Sequence, residues 1–266
     1  KVKVEYSSVN QTDYTTTLVT TAYANGECPD ILWVEPATFK KFSDAEMLAD
    51  LSSYYTDDLK KDILPSFLEA ASGDDGKIYT LPFECETLGL FYDADALEEE
   101  GIEPPKTWEE LKSAAEKLTT KDRYGIVLPV EKTAYTLFNW WPFMWMDDAD
   151  IYDADGNVTA GKDSMADALD FWGSFYQNEY CPSSLQNGPW SIDNVANGVA
   201  AMQIGGTYMI NAAEEYNKDG HNIGVVPLPS PKGKDPVTVA GGQMMAVSSQ
   251  SKDVDAAADF IFWCFG

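Results

Sequence analysis

Residues 198–208 read Gly-Val-Ala-Ala-Met-Gln-Ile-Gly-Gly-Thr-Tyr, and this segment indicates the architecture of the chain. The run Val199–Ile204 is short, mostly apolar and bounded by glycines, which is typical of a covered strand. A helix is predicted over Tyr208–Tyr216, and the next apolar run, Ile223–Val226, predicts another strand. The segment therefore predicts strand, helix and strand in direct succession.

The same alternation continues on both sides of this segment. Further strands are predicted at Lys1–Tyr6, Ile31–Val34, Gly76–Phe83, Thr87–Tyr92, Tyr124–Val130 and Gln243–Val247. Further helices are predicted before Asn25-Gly26, at Ser43–Leu51, from Thr107, at Tyr135–Met146 and Ala166–Tyr176, and from Ser251. Alternating strands and helices favour layered α/β architecture.

Two of these helices have specific sequence signatures. Thr107 can cap the free amides of a helix while Glu110, three residues later, completes a capping box. In the aromatic block, Phe138, Trp141 and Trp145 follow a helical spacing, and apolar residues also occupy the neighbouring stripe. A helix that is apolar nearly all round must be largely buried.

Composition narrows the class of protein. The chain has 266 residues, of which 44% are hydrophobic, enough for one large or two medium domains. Its 18 basic and 44 acidic residues give a net charge of −26, which repels nucleic acid and anionic lipid. Arg123 is the only arginine, which disfavours an anionic ligand because guanidinium is the usual anion clamp.

The sequence offers little for catalysis or metal binding. His221 is the only histidine and lies in a predicted turn, and the motifs typical of metalloproteases, nucleophile elbows and nucleotide-binding loops do not occur. The segment 153–157 lacks the glycine spacing of a calcium loop and is predicted to be a surface turn. We therefore expect no catalytic residues, no metal and no cofactor. The cysteines form no C-x-x-C pair, although a disulfide stays possible.

Glu84 and Glu86 form the one notable carboxylate pair. If both lie on one strand they share a face and are roughly 6–7 Å apart. A retaining glycosidase needs two carboxyl groups at about such a separation. Catalysis, hydrogen bonding to a ligand and simple solvation at a strand end are all open for this pair.

Aromatic residues are numerous, with eight tryptophans and fourteen tyrosines. Four of them are candidates for a ligand site: Tyr135 and Trp140 in the predicted aromatic helix, Trp190 in a predicted loop and Tyr208 after a predicted strand. Sugar rings have flat C–H faces that pack on aromatic rings, while their hydroxyls need carboxylate or amide partners. Ordinary core packing is the competing interpretation for each of these rings.

The order of motifs resembles that of the maltose-binding type of extracellular solute-binding protein. The matching segments are Asp13-Tyr14, Gly26, Pro29–Ile31, Asp75–Pro82, Leu90–Asp93, Pro105–Leu111, Gly198–Tyr208, Val226–Pro229, Gly241-Gly242 and Met245–Val247. The resemblance implies an α/β, periplasmic-binding-protein-like fold with two lobes, several chain crossovers and a ligand cleft between the lobes. The first lobe would comprise residues 1–88 and 228–266, and the second residues 89–227.

The same resemblance implies a set of ligand-binding positions. Carried over residue by residue, they are Glu35, Thr38, Glu86, Tyr135, Trp140, Tyr208 and Gln243, to which the aromatic pattern adds Trp190. Val34 and Ala37 occupy positions where some relatives have a stacking aromatic and a carboxylate. The resemblance therefore does not imply that the ligand is a malto-oligosaccharide. The first strand and helix of the family pattern and its last helices are expected to be missing from this sequence.

These observations predict an extracellular binding protein that captures a mono- or oligosaccharide by hinge closure and delivers it to the permease of an ABC transporter. We expect a monomer, periplasmic or at the cell surface, that meets the membrane only through a lipid anchor outside this sequence. One alternative is a receptor for a cation such as a polyamine, held by aromatic rings with Glu35, Glu84 and Glu86. The alternative from another class is a retaining glycosidase that uses Glu84 and Glu86.

Overall fold

A computed structural model describes residues 3–8, 14, 19–153, 155–161 and 163–266. Lys1 and Val2 of the predicted first strand, and Asp13 of the Asp13-Tyr14 motif, lie outside the described residues. The chain divides into two compact units. Unit 1 comprises Lys1–Cys85 and Gly241–Gly266, and unit 2 comprises Glu86–Ala240.

Strands and helices alternate along the described chain. The strands are β1 (Ile31–Val34), β2 (Thr80–Pro82), β3 (Glu86–Asp93), β4 (Tyr124–Val127), β5 (Ala200–Gly206), β6 (Ile223–Pro227), β7 (Ala240–Gly241) and β8 (Met244–Val247). The helices are α1 (Thr20–Asn25), α2 (Pro36–Asp44), α3 (Asp57–Asp62), α4 (Pro65–Ala70), α5 (Ala94–Glu99), α6 (Trp108–Leu118), α7 (Ala134–Met146), α8 (Asp163–Gln177), α9 (Asp193–Ala196), α10 (Ile210–Lys218) and α11 (Val254–Phe265).

Unit 1 is built on a three-stranded antiparallel sheet with β8 between β1 and β2. Phe42, Leu51 and Leu81 are fully buried in its core, together with Ala258 and Ile261 of α11. Burying large apolar side chains stabilises such a unit by about 2 kcal/mol each. Apolar residues of helices and strands thus share one core.

Unit 2 contains a sheet in which the strands follow the order β4-β5-β3-β6. β3 is antiparallel to both β5 and β6, while β4 runs parallel to β5. The helices α6, α7 and α8 cover the sheet with aromatic side chains. The Trp108 and Phe171 rings stack with centroids 4.4 Å apart, and Phe143 packs beside both.

Several sequence predictions are confirmed by these elements. Thr107 and Glu110 form both hydrogen bonds of a capping box at the start of α6. The aromatic helix α7 begins at Ala134 and ends at Met146, with Pro142 inside it. The strand predictions at 31–34, 87–92 and 223–226 match β1, β3 and β6.

Other sequence predictions are wrong. Residues 3–8 are exposed and form no strand, because a strand needs a neighbouring strand to bind its amides. The helix predicted at Ser43–Leu51 lies earlier, since Pro36 occupies its first turn and Glu46 has a left-handed φ of 56° that ends helical geometry. The strand predicted from Gly76 begins only at Thr80, because Gly76 lies in a turn with φ of 78°.

The segment from residue 228 to 240, which the resemblance placed with the first lobe, lies in unit 2. Leu228 and Val239 are buried in the core of this unit. The Ser230 amide donates to the Lys106 carbonyl, and the Trp108 amide donates to the Ser230 carbonyl. These contacts hold the segment against the start of α6.

No helix in the described part of the chain is both long and apolar enough to cross a membrane.

Candidate functional site

One edge of the unit 2 sheet collects the ends of three strands. β3 begins at Glu86 and β5 ends at Gly206, and the antiparallel register pairs Leu88 with Gly206. Residues just before Leu88 and just after Gly206 therefore leave the sheet at the same edge. β4 runs parallel to β5 and also ends there, before the loop that leads to α7. This topology brings Glu86, Tyr208 and the start of α7 together.

The side chains of Tyr135 and Tyr208 meet at this edge. Their hydroxyl oxygens lie 2.5 Å apart, and the Tyr135 hydroxyl is also 3.3 Å from the Pro189 carbonyl oxygen. The Trp190 ring lies edge-on to the Tyr135 ring, with centroids 5.9 Å apart and an interplanar angle of 90°. We call Tyr135, Trp190 and Tyr208 the aromatic group.

The electrostatic environment keeps both tyrosines neutral. Burial raises the pKa of Tyr135 well above its usual range, and the neighbouring Tyr208 and the charge of Glu86 add to the shift. Burial also raises the pKa of Tyr208, and Glu86 again contributes in the same direction. Glu86 lies two residues before Leu88 and Tyr208 two residues after Gly206, so the β3–β5 register puts them at the same end of the sheet. The group presents neutral hydroxyls, which donate and accept hydrogen bonds, beside one carboxylate.

Two glycines make room for the aromatic rings. A Cβ atom on Gly206 would lie 2.2 Å from Cε1 of Tyr208, and one on Gly188 would lie 2.2 Å from Cε2 of Trp190. Real atoms do not approach so closely, so any larger residue would displace these rings. The glycines therefore allow Tyr208 and Trp190 to fold back across the backbone.

The tryptophans predicted for the site differ in exposure. Trp190 is 54% exposed and offers a ring surface to a ligand. Trp140 is only 8% exposed and packs in the core of unit 2, where its indole N–H has no hydrogen-bond partner among the described residues. The structure thus places Trp190, and not Trp140, at the surface of the aromatic group.

The unit 1 candidates lie at one edge of the other sheet. Met244 pairs with Val34 on one side and with Pro82 on the other, so Glu35 and Gln243 leave the sheet at the same edge. Thr38 is half-buried, and its hydroxyl donates to the Glu35 carbonyl at 3.1 Å. Glu35, Thr38 and Gln243 therefore share a local region of unit 1.

Glu84 and Glu86 do not lie on one strand, contrary to the geometry considered from the sequence. β2 ends at Pro82 and β3 begins at Glu86, so Glu84 belongs to the connecting segment. Glu84 is held against Gly242, where a Cβ atom would lie 1.9 Å from its carbonyl oxygen. Gly242 has φ of 137°, so this close approach requires glycine.

Sequence reasoning missed buried polar residues beneath the aromatic group. Gln203 is fully buried on β5, and its Nε2 donates to the Pro189 carbonyl at 2.6 Å. Asn139, one helical turn after Tyr135, donates to the Tyr135 carbonyl at 2.8 Å. The available signal for Gln203 was a single amide within the apolar run Ala-Ala-Met-Gln-Ile.

Metal-ligating and cysteine side chains are the remaining groups with distinct chemistry. Within the described ranges, His, Cys, Asp and Glu residues do not form a group of three that could hold a metal ion. Cys28, Cys85, Cys181 and Cys264 are free thiols. Burial raises the pKa of Cys181 to about 11, which makes it unreactive.

Comparison with known proteins identifies sugar receptors among the relatives. The maltotriose-binding protein of Pyrococcus abyssi is 28% identical over 247 residues, which cover 90% of this chain and 51% of that protein. The maltodextrin-binding protein MdxE of Bacillus subtilis is 28% identical over 203 residues, covering 70% of this chain and 46% of that protein. The chain thus spans about half the length of these curated relatives.

A solved structure shares the fold. The GacH receptor of Streptomyces glaucescens, whose crystal structures include an acarbose complex, matches with a TM-score of 0.83 and 24% identity. The match covers 98% of this chain and 67% of that receptor. It confirms the predicted α/β, periplasmic-binding-protein-like fold. The family described as bacterial extracellular solute-binding protein matches residues 1–266. Because that match extends from the first residue to the last, the chain belongs to the bacterial extracellular solute-binding protein family.

Proposed function

We propose that this protein binds a soluble, uncharged mono- or oligosaccharide and catalyses no reaction. The observation that carries the proposal is the convergence of Glu86, Tyr135 and Tyr208 with the exposed ring of Trp190 on unit 2. Apolar ring faces can pack on C–H faces of a sugar while neutral hydroxyls and a carboxylate bind its hydroxyls. Each element of the site thus has a matching element in a carbohydrate.

Charge distinguishes this ligand class from anions. The only arginine, Arg123, uses its Nε atom to donate to the Leu118 carbonyl at 3.3 Å, at the end of α6. Glu86 supplies negative charge to the aromatic group, which opposes a phosphate or carboxylate ligand. A neutral polyol is not repelled by this charge.

The relatives support the same class of ligand. Two of them are named for maltotriose and maltodextrin, and a third was crystallised with acarbose. We infer that the sugar is passed to an ABC transporter permease at the outer face of the cell membrane or in the periplasm. The protein acts as a monomer in this proposal, with a lipid anchor outside this sequence. Glu35, Thr38, Trp140 and Gln243 remain predicted ligand contacts.

Isothermal titration calorimetry of the wild-type protein tests the proposal. The titrants are maltotriose, maltodextrins and a panel of neutral mono- and disaccharides, with spermidine as the cationic comparison. We expect one neutral sugar to bind with a Kd in the micromolar range, about −8 kcal/mol, and to raise the melting temperature by mass action. Binding of spermidine alone, weakening steeply with salt, would instead support a cation receptor.

A second assay separates binding from catalysis. Incubation with aryl glycosides is expected to release no aryl alcohol above the background rate. The matched variants are Glu86→Gln, at the site, and Glu109→Gln, an exposed glutamate on α6. Turnover by the wild type that Glu86→Gln abolishes and Glu109→Gln leaves unchanged would replace the proposal with a glycosidase.

A further inference from the structure

A tight turn carries the exposed ring of the aromatic group. The Ser191 amide donates to the Gly188 carbonyl at 3.0 Å, which closes a four-residue turn with Pro189 and Trp190 in the middle. We call residues 188–191 the Pro189 turn. Proline favours the second position of such a turn, so the local sequence supports this conformation.

Buried amides hold the backbone of this turn from beneath. Asn194, which is 1% exposed, donates to the Gly188 carbonyl at 3.2 Å and to the Ser191 carbonyl at 2.9 Å. Gln203 donates to the Pro189 carbonyl at 2.6 Å. Three of the four carbonyls of the turn thus accept hydrogen bonds from buried side chains.

The Pro189 carbonyl also connects to the tyrosines. It lies 3.3 Å from the Tyr135 hydroxyl, which in turn lies 2.5 Å from the Tyr208 hydroxyl. A continuous path of hydrogen bonds therefore runs from the amide of Gln203 through Pro189 to both tyrosines. The same turn places the Trp190 ring against Tyr135.

The environment of Gln203 argues that its amide is not there for stability. The residue is fully buried on β5, and its Oε1 atom has no hydrogen-bond partner among the described residues. Burying an amide that is only partly bonded costs free energy, whereas an apolar side chain of similar size would pack at no such cost. Packing therefore does not explain why a glutamine occupies this buried position.

We propose that Gln203 is a positioning residue for ligand binding, fixing Trp190 and Tyr135 through the Pro189 carbonyl. This inference rests on the proposed function for its ligand. Gln203 does not touch the sugar. It restricts the Pro189 turn before the ligand arrives, so that less conformational entropy is lost on binding.

The test compares Gln203→Met with Met202→Leu. Met202→Leu is a conservative change at the preceding residue of the same buried strand. Gln203→Met keeps the approximate volume and removes the amide donor. We expect it to weaken sugar binding about tenfold. The melting temperature should fall only slightly, because the Pro189 carbonyl loses one donor but keeps the Tyr135 hydroxyl. Met202→Leu should leave the affinity unchanged.

Fluorine NMR on protein containing 5-fluorotryptophan reads the position of Trp190 directly, with its resonance assigned by Trp190→Phe. We expect Gln203→Met to shift or broaden this resonance in the absence of any ligand, and Met202→Leu to leave it in place. A folded Gln203→Met variant with an unchanged Trp190 resonance and unchanged affinity would overturn the inference. If wild type binds no sugar, the proposed function fails while the resonance still reports on Gln203.

Wild-type protein provides a further measurement in case Gln203→Met does not fold. The side-chain amide protons of Gln203 should exchange with solvent much more slowly than those of the exposed Gln177 at the end of α8, if the bond to Pro189 persists in solution. Equal exchange rates would contradict the inference.

Discussion

The hydroxyl groups of Tyr135 and Tyr208 lie 2.5 Å apart, although 73 positions separate these residues in the chain. Tyr135 belongs to the first turn of α7, and Tyr208 follows β5 directly. Their contact joins a helix to the edge of the sheet, beside the charge of Glu86. A ligand hydroxyl that binds either tyrosine is therefore coupled to both elements.

Alkaline pH should reveal the burial of Tyr135. Its pKa is raised in the folded protein above the usual value near 10, so the folded state retains a proton that the unfolded chain loses. The stabilising contribution is complete below about pH 10 and decreases as the pH rises further. Tyr135→Phe removes this linkage, so we expect the free energy of unfolding to fall less steeply above pH 10 than in wild type. Urea denaturation between pH 8 and 11 checks this, and parallel curves would contradict it.

Gly206→Ala should disturb the site while sparing the sheet. Gly206 has φ of −96°, which any residue adopts, so the substitution adds no backbone strain. The new Cβ atom would clash with the Tyr208 ring and move it away from Tyr135. We expect sugar affinity, measured by calorimetry, to fall at least about tenfold.

Gly173→Ala is the matched control for that substitution. Gly173 lies within α8, and the nearest atom to an added Cβ is 3.8 Å away. Alanine favours a helix interior over glycine by about 1 kcal/mol, so this variant should be more stable and bind sugar normally. Equal affinity in both variants would show that the Tyr208 position is unimportant for binding.

Elements with a local cause could be predicted from the sequence. The start of α6 follows from the capping box of Thr107 and Glu110, and β1 follows from a short apolar run. Within the described residues 3–6 the predicted first strand is absent, because alternation alone does not supply a neighbouring strand. The start of α2 at Pro36 was not predicted. Proline is typical of a first helical turn, but here it marks a helix start only because Glu35 before it is extended, which the sequence does not show.

The candidate site was predictable only in part. Glu86 and Tyr208 were predicted as site residues from the resemblance. The structure places them at the ends of β3 and β5, two strands that pair with each other. Helix α7 is apolar nearly all round, so its sequence could not show which tryptophan faces the core. Gln203 gave only a weak signal, because its role depends on a turn that lies 14 positions earlier in the chain.

The capping box offers a stability test that is independent of the ligand. The Thr107 hydroxyl accepts from the Glu110 amide at 3.2 Å, and the Glu110 carboxylate accepts from the amides of Lys106 and Thr107. Thr107→Ala removes the first of these bonds and should lower the free energy of unfolding by about 1 kcal/mol. Urea denaturation measures this change, and sugar affinity should stay constant. An unchanged midpoint would mean that water replaces the cap without cost.

Trp190→Ala and Trp140→Ala should have opposite effects, because the two rings differ in burial. Trp190 is 54% exposed, so its removal should change the free energy of unfolding by about 1 kcal/mol or less while weakening sugar binding at least tenfold. Trp140 is 8% exposed in the core, so its removal should cost about 3–5 kcal/mol of stability. Calorimetry and urea denaturation on both variants measure the two quantities. If Trp140→Ala instead lost affinity at nearly full stability, Trp140 would be a ligand contact, and the distinction drawn from burial would be wrong.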